Sequence, residues 1–368
     1  MTEATVNTAE IIRRLNAFRT ARQRPAALIG FDGYIDKLVR PRRSQNTEDY
    51  FDTVAEFARL LLTLGGTSSD IAVRSMFEKI GGNGPLLAEA LAEKGVSCTC
   101  IGAMGQPELA SPYRELEKKV RLISVADCAS SYALEFNNGK IMLGDADSFL
   151  SIGWRELQEK LGPALPELFQ AAQLICFANW SGLPRSTELL EGIITDIGPT
   201  LAGGRRKIFF DLADPSAKSD AQFQELFSAL ERMQPFFHRV VGLNPKECLL
   251  VFNRFYGRQE ADFSPEMLCA LLRDFPADEI VIHDAGCAYV GLAGQEPLKV
   301  KGRFLTRPRI SVGAGDNFNS GYCLGMLCEL SPAACAMLGN EAAVGFMEQG
   351  TPAKLEQLIA SLEKEIES

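Results

Sequence analysis

The sequence predicts a doubly wound α/β protein, with a mainly parallel sheet covered by helices on both faces and a small second β-sheet standing off it. Three observations predict this. Apolar strand-like runs alternate with helix-patterned runs along most of the chain. The strand-like runs end repeatedly in Asp or Asn, as strands do where an open α/β sheet meets its ligand. Early in the chain the alternation is interrupted by β-forming segments mixed with polar residues, one of them carrying the hairpin signal "NNG" at 137–139.

Taken in order, residues 1–25 read as a helical extension. "TAEIIRRLNAF" is amphipathic, with Thr8 as the expected N-cap. The main domain spans 26–352. It opens with "AALIGFDGYID", a buried strand with polar residues at its C-terminal end. "GPLLAEALAEKG" is a helix stopped by Gly95, and "VSCTCIGAMG" is a strand followed by a turn. The small sheet is expected from 34–42, 70–82 and 120–143. The alternation resumes with strands "AQLICFANW", "RRKIFFDLAD" and "FHRVVGLNPKE", each followed by a helix. "DEIVIHDAG" and "CAYVGL" form strands around a turn. A strand-like "RPRI" precedes "SVGAGDNFNSG" and an apolar helix. Helix-patterned segments close the chain, the last over 353–368.

Composition narrows the function. The formal net charge of −9 argues against a nucleic-acid binder. The N-terminus lacks the uncharged apolar core of a signal peptide, no run is long enough to span a membrane, and a cytoplasmic protein is expected. The 10 cysteines mostly sit in apolar runs and read as reduced core residues. With one tight pair, "CTC", and two histidines, His238 and His283, a structural zinc site is not expected.

"SVGAGDNFNSG" carries the chemistry. Gly313, Ala314 and Gly315 before a helix offer backbone N–H groups to an anion, and the helix start adds partial positive charge. Asp316 beside such a nest would repel a resting phosphate, so it needs a specific job. Phosphoryl transfer to an alcohol supplies one: the nest stabilises the moving phosphoryl group and the carboxylate takes the hydroxyl proton. No P-loop motif occurs, and "GAGDNF" fails G-x-G-x-x-G at Phe318. Capping alone would explain any single strand-end polar residue, but it explains the set less well.

These motifs, in this order, resemble the ribokinase-like, PfkB-type, carbohydrate kinases. "GAGDNFNSGY" is similar to the family's C-terminal signature, and "KIGGNGPLLAEALAEKGVSCTCIGAMG" to its N-terminal one. "GLNPKE" is similar to N-x-x-E, and "GNEAAVGF" to the late helix lining the nucleotide pocket. The resemblance implies a sugar kinase using ATP and Mg²⁺, with Asp316 as base and Gly313–Gly315 as anion hole. Asp36 is the expected sugar-binding aspartate and Asp32 the second choice, with Gly81, Gly82 and Asn83 beside the sugar. Asn244, His283, Gly286 and Asn340 are expected at the nucleotide, and Glu247 with Asn244 at the metal. His283 also fits a plain strand-end histidine, and Asn244 and Glu247 a plain helix cap. Nucleoside phosphorylation and non-catalytic sugar or nucleotide binding are the alternatives. The sequence also departs from the family pattern. Ile310 stands where many members carry the Asp that helps hold a monovalent cation, and Asn83 stands where a Lys is usual. Potassium activation and a standard ribokinase sugar pocket therefore do not follow. A homodimer joined through the small-sheet strands is expected, because exposed edge strands pair.

Overall fold

The structure, a computed structural model, describes residues 1–66 and 68–367. Among them are strands β1 (Thr2–Glu3), β2 (Ala26–Gly30), β3 (Tyr34–Pro41), β4 (Val73–Gly81), β5 (Ser97–Ala103), β6 (Arg121–Ala126) and β7 (Ala129–Phe136). They continue with β8 (Gly139–Asp145), β9 (Leu174–Phe177), β10 (Arg206–Asp211), β11 (Phe237–Leu243), β12 (Glu279–Asp284), β13 (Cys287–Leu292) and β14 (Leu298–Lys301).

Ten of these form one sheet in the order β1-β14-β13-β12-β11-β10-β9-β2-β5-β6. From β12 to β6 every neighbouring pair is parallel, whereas β13 is antiparallel to both β12 and β14. The central strands are apolar because both their faces are covered. In β10, Ile208 and Phe210 enter one core and Phe209 the other. Each fully buried Phe contributes roughly 1.5–3 kcal/mol. β2 divides likewise, with Leu28 on one face and Ala27 and Ile29 on the opposite one. The chain leaves β2 toward β5 and β6, then returns to β2's other side with β9. The strand order therefore reverses between β2 and β9, the point where doubly wound sheets bind ligands.

The second sheet has the order β4-β3-β7-β8. Asn137 and Asn138 form the tight turn between β7 and β8 that "NNG" signalled. One part of this sheet shares a small core of Val39, Phe51, Phe57, Leu134 and Phe136 with the helix Val54–Thr63. The segment 120–143 divides: Arg121–Ala126 pairs with β5 in the main sheet, and only β7 and the start of β8 fall in the small one. Polar β-patterned sequence did not separate an edge strand of one sheet from strands of the other.

Residues 1–25 are tied into the main body. β1 pairs with β14, and the helix Thr8–Thr20 shares a core with the helix Leu355–Glu367. Its N-cap is Asn7, not Thr8, because the Asn7 side chain accepts from the Glu10 N–H. The terminal residue of the expected 353–368 helix, Ser368, lies outside the described residues. The strand-like "RPRI" is irregular, and β14 ends at Lys301 well before it. Pro308 brings no N–H to a ladder, which works against a strand there.

Candidate active site

The polar residues expected from the sequence gather at the carboxyl ends of β2, β9, β10, β11 and β12. Two residues past the end of β2, Asp32 is 0% exposed. Its carboxylate accepts from the backbone N–H of Asn83 at 2.9 Å, from that of Gly84 at 2.8 Å and from Asn179 Nδ2 at 2.8 Å. Asp32 thus holds the start of the helix Asn83–Glu93, whose N-cap Gly82 has no side chain to do so. Burial pushes the Asp32 carboxyl up to about 6, against three hydrogen bonds that favour its charge.

The Gly-Gly turn is glycine for steric reasons. A Cβ on Gly81 would lie 2.6 Å from the Asp36 carboxylate. Gly82 has φ of +92° and would bring a Cβ within 2.9 Å of Asp32. Asp36 projects from β3 over this turn and accepts from Ser131 Oγ at 2.6 Å. Of the two aspartates, Asp36 has the less occupied carboxylate, and Asp32 is enclosed.

Asp211, at the end of β10, joins the two signature helices. It accepts from Asn83 Nδ2 at 3.0 Å and from Asn319 Nδ2 at 3.2 Å, while the Ala213 N–H closes its own turn at 2.9 Å. Asn319 lies on the helix Ala314–Leu327, in which Asp316 occupies the first turn. The N-cap of that helix, Gly313, has φ of +97°, the left-handed conformation that glycine adopts without strain. Asp316 is held well above the usual carboxylate range, first by burial and then by Asp211 and Asp32. Asp211 is raised by burial.

At the end of β11, Asn244 and Glu247 form a reciprocal capping box. Asn244 Oδ1 accepts from the Glu247 N–H, and Glu247 Oε2 from the Asn244 N–H, both at 2.9 Å. The capping role allowed for in the sequence is therefore present. Burial, with repulsion from Asp211 and Asp214, pushes Glu247 up to about 8. Asp214 caps the turn Pro215–Ala217 and pairs with Lys246 at 2.9 Å. Among the described residues no Lys or Arg forms an ion pair with Asp32, Asp211, Glu247 or Asp316. Each of these four carboxyls is raised first of all by its burial. No group of three His, Cys, Asp or Glu side chains among the described residues could enclose a metal by itself. A divalent ion bound there would need phosphate oxygens and water to complete its shell.

Beside Gly315 lies a cavity of about 420 Å³. Asn244, His283, Gly286 and Asn340 all line it, together with Phe318 and Val344. His283 packs on the Phe318 ring with centroids 5.0 Å apart, and burial pushes its imidazole down to about 4. It is therefore neutral at physiological pH. Asn340 is buried, with its Nδ2 lacking a hydrogen-bond partner among the described residues. A polar donor in a cleft whose lining also includes Phe304, Leu305, Phe318, Val344 and Met347 suits a flat heteroaromatic ligand.

Trp180, which follows β9, is buried against Phe223 and Lys218. No sequence motif marks Asn319, Ser131 or the bond between Asn179 and Asp32. Their polar side chains inside apolar or β-patterned runs were the available signal.

A sheet reversing at β2/β9, a small sheet over a Gly-Gly turn, and a glycine nest followed by Asp define the ribokinase-like kinase class. Solved structures agree on the fold. Ribokinase from Thermotoga maritima superimposes with a TM-score of 0.65 at 14% identity, covering 93% of this chain and 100% of the other. A carbohydrate kinase from Agrobacterium tumefaciens gives 0.63 at 17%, covering 92% and 97%. The nucleoside kinase of Burkholderia thailandensis, in complex with inosine, gives 0.64 at 14%, covering 93% and 99%. A family model described as prokaryotic ketohexokinase matches residues 3–365, and the chain belongs to that family. Ketohexokinase of Haloferax volcanii is 25% identical over 347 residues, 90% of this chain and 89% of that one. The protein is a carbohydrate kinase, a phosphotransferase with an alcohol group as acceptor.

Proposed function

We propose that this enzyme transfers the γ-phosphoryl group of ATP to a hydroxyl of a ketohexose. The observation that carries the reading is Asp316 in the first helical turn beside the Gly313–Gly315 nest, with the His283–Asn340 cavity beside it and Asp211 linking its helix to the Gly-Gly turn. In this reading the nucleoside occupies that cavity and the sugar lies under the small sheet near Asp36, Gly81 and Gly82. Asn83 is already engaged by Asp211 through its side-chain amide, so it orders the pocket as much as it meets the sugar.

The sugar hydroxyl gives its proton to the Asp316 carboxylate as its oxygen bonds to the γ-phosphorus. The bond from that phosphorus to the bridging oxygen breaks, and ADP leaves. N–H groups of the nest meet charge on the moving phosphoryl group. Mg²⁺, when bound with the nucleotide, supplies charge neutralisation on the phosphates, and Glu247, Asp211 and Asn244 are the oxygen-bearing groups nearest that role. Asp32 supports the Gly-Gly turn from beneath.

A coupled ADP-release assay over ketohexoses, aldohexoses, pentoses and nucleosides tests this. Turnover with fructose well above the other sugars and above inosine or adenosine is expected. Preference for a nucleoside would move the assignment to nucleoside kinase. Binding without turnover of any panel member would make the chain a sugar- or nucleotide-binding protein.

A further inference from the structure

Two basic stretches of this acidic chain, "RQRP" at 22–25 and "GGRRK" at 203–207, have no part in the site above. They converge at the amino ends of β2 and β10, on the edge of the main sheet opposite the active site. An open cleft of about 420 Å³ lies there, lined by Arg24, Arg205, Arg206 and Lys207, with Glu329 as its one carboxylate among the described residues.

Local structure accounts for part of this charge. Lys207 Nζ donates to the Met326 carbonyl at the end of the helix Ala314–Leu327 and to Glu329 at 2.8 Å. Arg205 donates to Asp278 at 2.5 Å, but Asp278 also serves Arg239 at 2.8 Å. Arg24 and Arg206 are different: among the described residues neither forms an ion pair with a carboxylate. Arg24 donates to the Phe18 carbonyl and stands over the Phe18 ring. Arg206 Nη2 reaches the carbonyls of Gln170 and Ala202, and its Nε is buried without an acceptor among the described residues. Carbonyl capping satisfies some donors but leaves the net charge uncompensated. A buried guanidinium N–H without an acceptor costs stability unless a ligand supplies one.

We propose that this cleft binds a small phosphate-bearing anion of two or more negative charges, between Arg24 and Arg206. Guanidinium groups favour such anions because their fixed donor fork matches phosphate oxygens. Phosphates also outbid chloride at a site of this charge, and the open mouth admits them from solvent. The site is separate from phosphoryl transfer, since the chain crosses the whole sheet between Arg206 and Asp211 at the other end of β10.

Titration calorimetry with inorganic pyrophosphate, in metal-free buffer at low salt, tests the proposal on the full chain. Wild type is expected to bind, and Arg24→Gln with Arg206→Gln to weaken binding by about tenfold or more, since both guanidinium groups lose their charge-assisted hydrogen bonds to the anion. Unchanged affinity in the double variant would mean the anion sits elsewhere, the Gly313–Gly315 nest included, and would overturn the proposal. So would absence of binding by wild type at about 10 mM, where even a millimolar site is mostly filled. Should the double variant fold poorly, a wild-type crystal soaked in pyrophosphate decides: density between Arg24 and Arg206 supports the site, and an empty cleft overturns it. Turnover with the preferred sugar is expected to persist in the double variant, so failure here is distinguishable from failure of the kinase reading.

Discussion

Asn179 donates its side-chain amide to Asp32 across the point where the strand order of the main sheet reverses. Gly30 of β2 and Phe177 of β9 are register partners, and each of these side chains follows its partner by two residues. Asn179 has φ of +56° and accepts from the Gly182 N–H at 3.0 Å, which fixes its amide toward Asp32. We predict that Asn179→Ala destabilises the protein by about 2–3 kcal/mol, through loss of a hydrogen bond to a charged group and strain at a left-handed residue. KM for the sugar is expected to rise more than KM for ATP, because Asp32 carries the Gly-Gly turn. Urea melts and two-substrate kinetics check this, and equal shifts in both KM values would contradict it.

Asp316→Asn keeps the size of the side chain and removes its basicity. A fall in kcat of about 10²–10⁴-fold is expected, with little change in ATP affinity, since general-base contributions have that size. Steady-state kinetics measures it. Near-wild-type turnover would reduce Asp316 to a first-turn acid of its helix.

Asn244 and Glu247 cap a helix and are also proposed to serve the metal. Replacing either by Ala is expected to cost about 1 kcal/mol through loss of the cap. If they also order magnesium-bound water, the Mg²⁺ concentration for half-maximal rate rises in both variants. A magnesium titration at fixed ATP separates the roles: an unchanged midpoint alongside a lowered Tm would leave capping alone.

The carboxyls of Asp32, at about 6, and Glu247, at about 8, lie above their ordinary values near 4. In this range the folded protein holds protons that the unfolded chain has released. Stability from these groups is therefore full below about pH 4 and is lost as the pH rises toward 8. The ligand-free Tm is expected to fall between pH 5 and 8, and Mg²⁺ with an ATP analogue to flatten that fall by replacing protons at the site. Scanning calorimetry across this range, with and without the ligand, is the measurement. A Tm that rises steadily from pH 5 to 8 would contradict the raised Asp32 and Glu247 carboxyls.

The outer strands of the small sheet, β4 and β8, have no partner on their outer edges among the described residues. Phe77 on β4 and Met142 on β8 are each 52% exposed. Leu38 and Ala133 lie between them in one cross-strand row, on the face that carries Asp36. We predict a two-fold dimer through these strands, since exposed edges and apolar rows pair. Light scattering at micromolar concentration checks it. Phe77→Glu is expected to shift a dimer toward monomer, and a wild-type monomer would remove the prediction.

Elements that local chemistry dictates were legible from the residues alone. Apolar β2, β9, β10 and β11 had to be buried strands, "NNG" had to turn, and Gly313–Asp316 had to open a helix, because backbone preferences and hydrophobic period act over a few residues. Which strands became neighbours was settled by long-range packing. Arg121–Ala126 and Ala129–Phe136 look alike in sequence, yet they lie in different sheets, since strand pairing is settled by long-range burial. Only folding could pair Asp32 with Asn179 and Asp211 with both Asn83 and Asn319. Those contacts join residues far apart in the chain, and their energy comes from hydrogen bonds to carboxylates that burial has deprived of water.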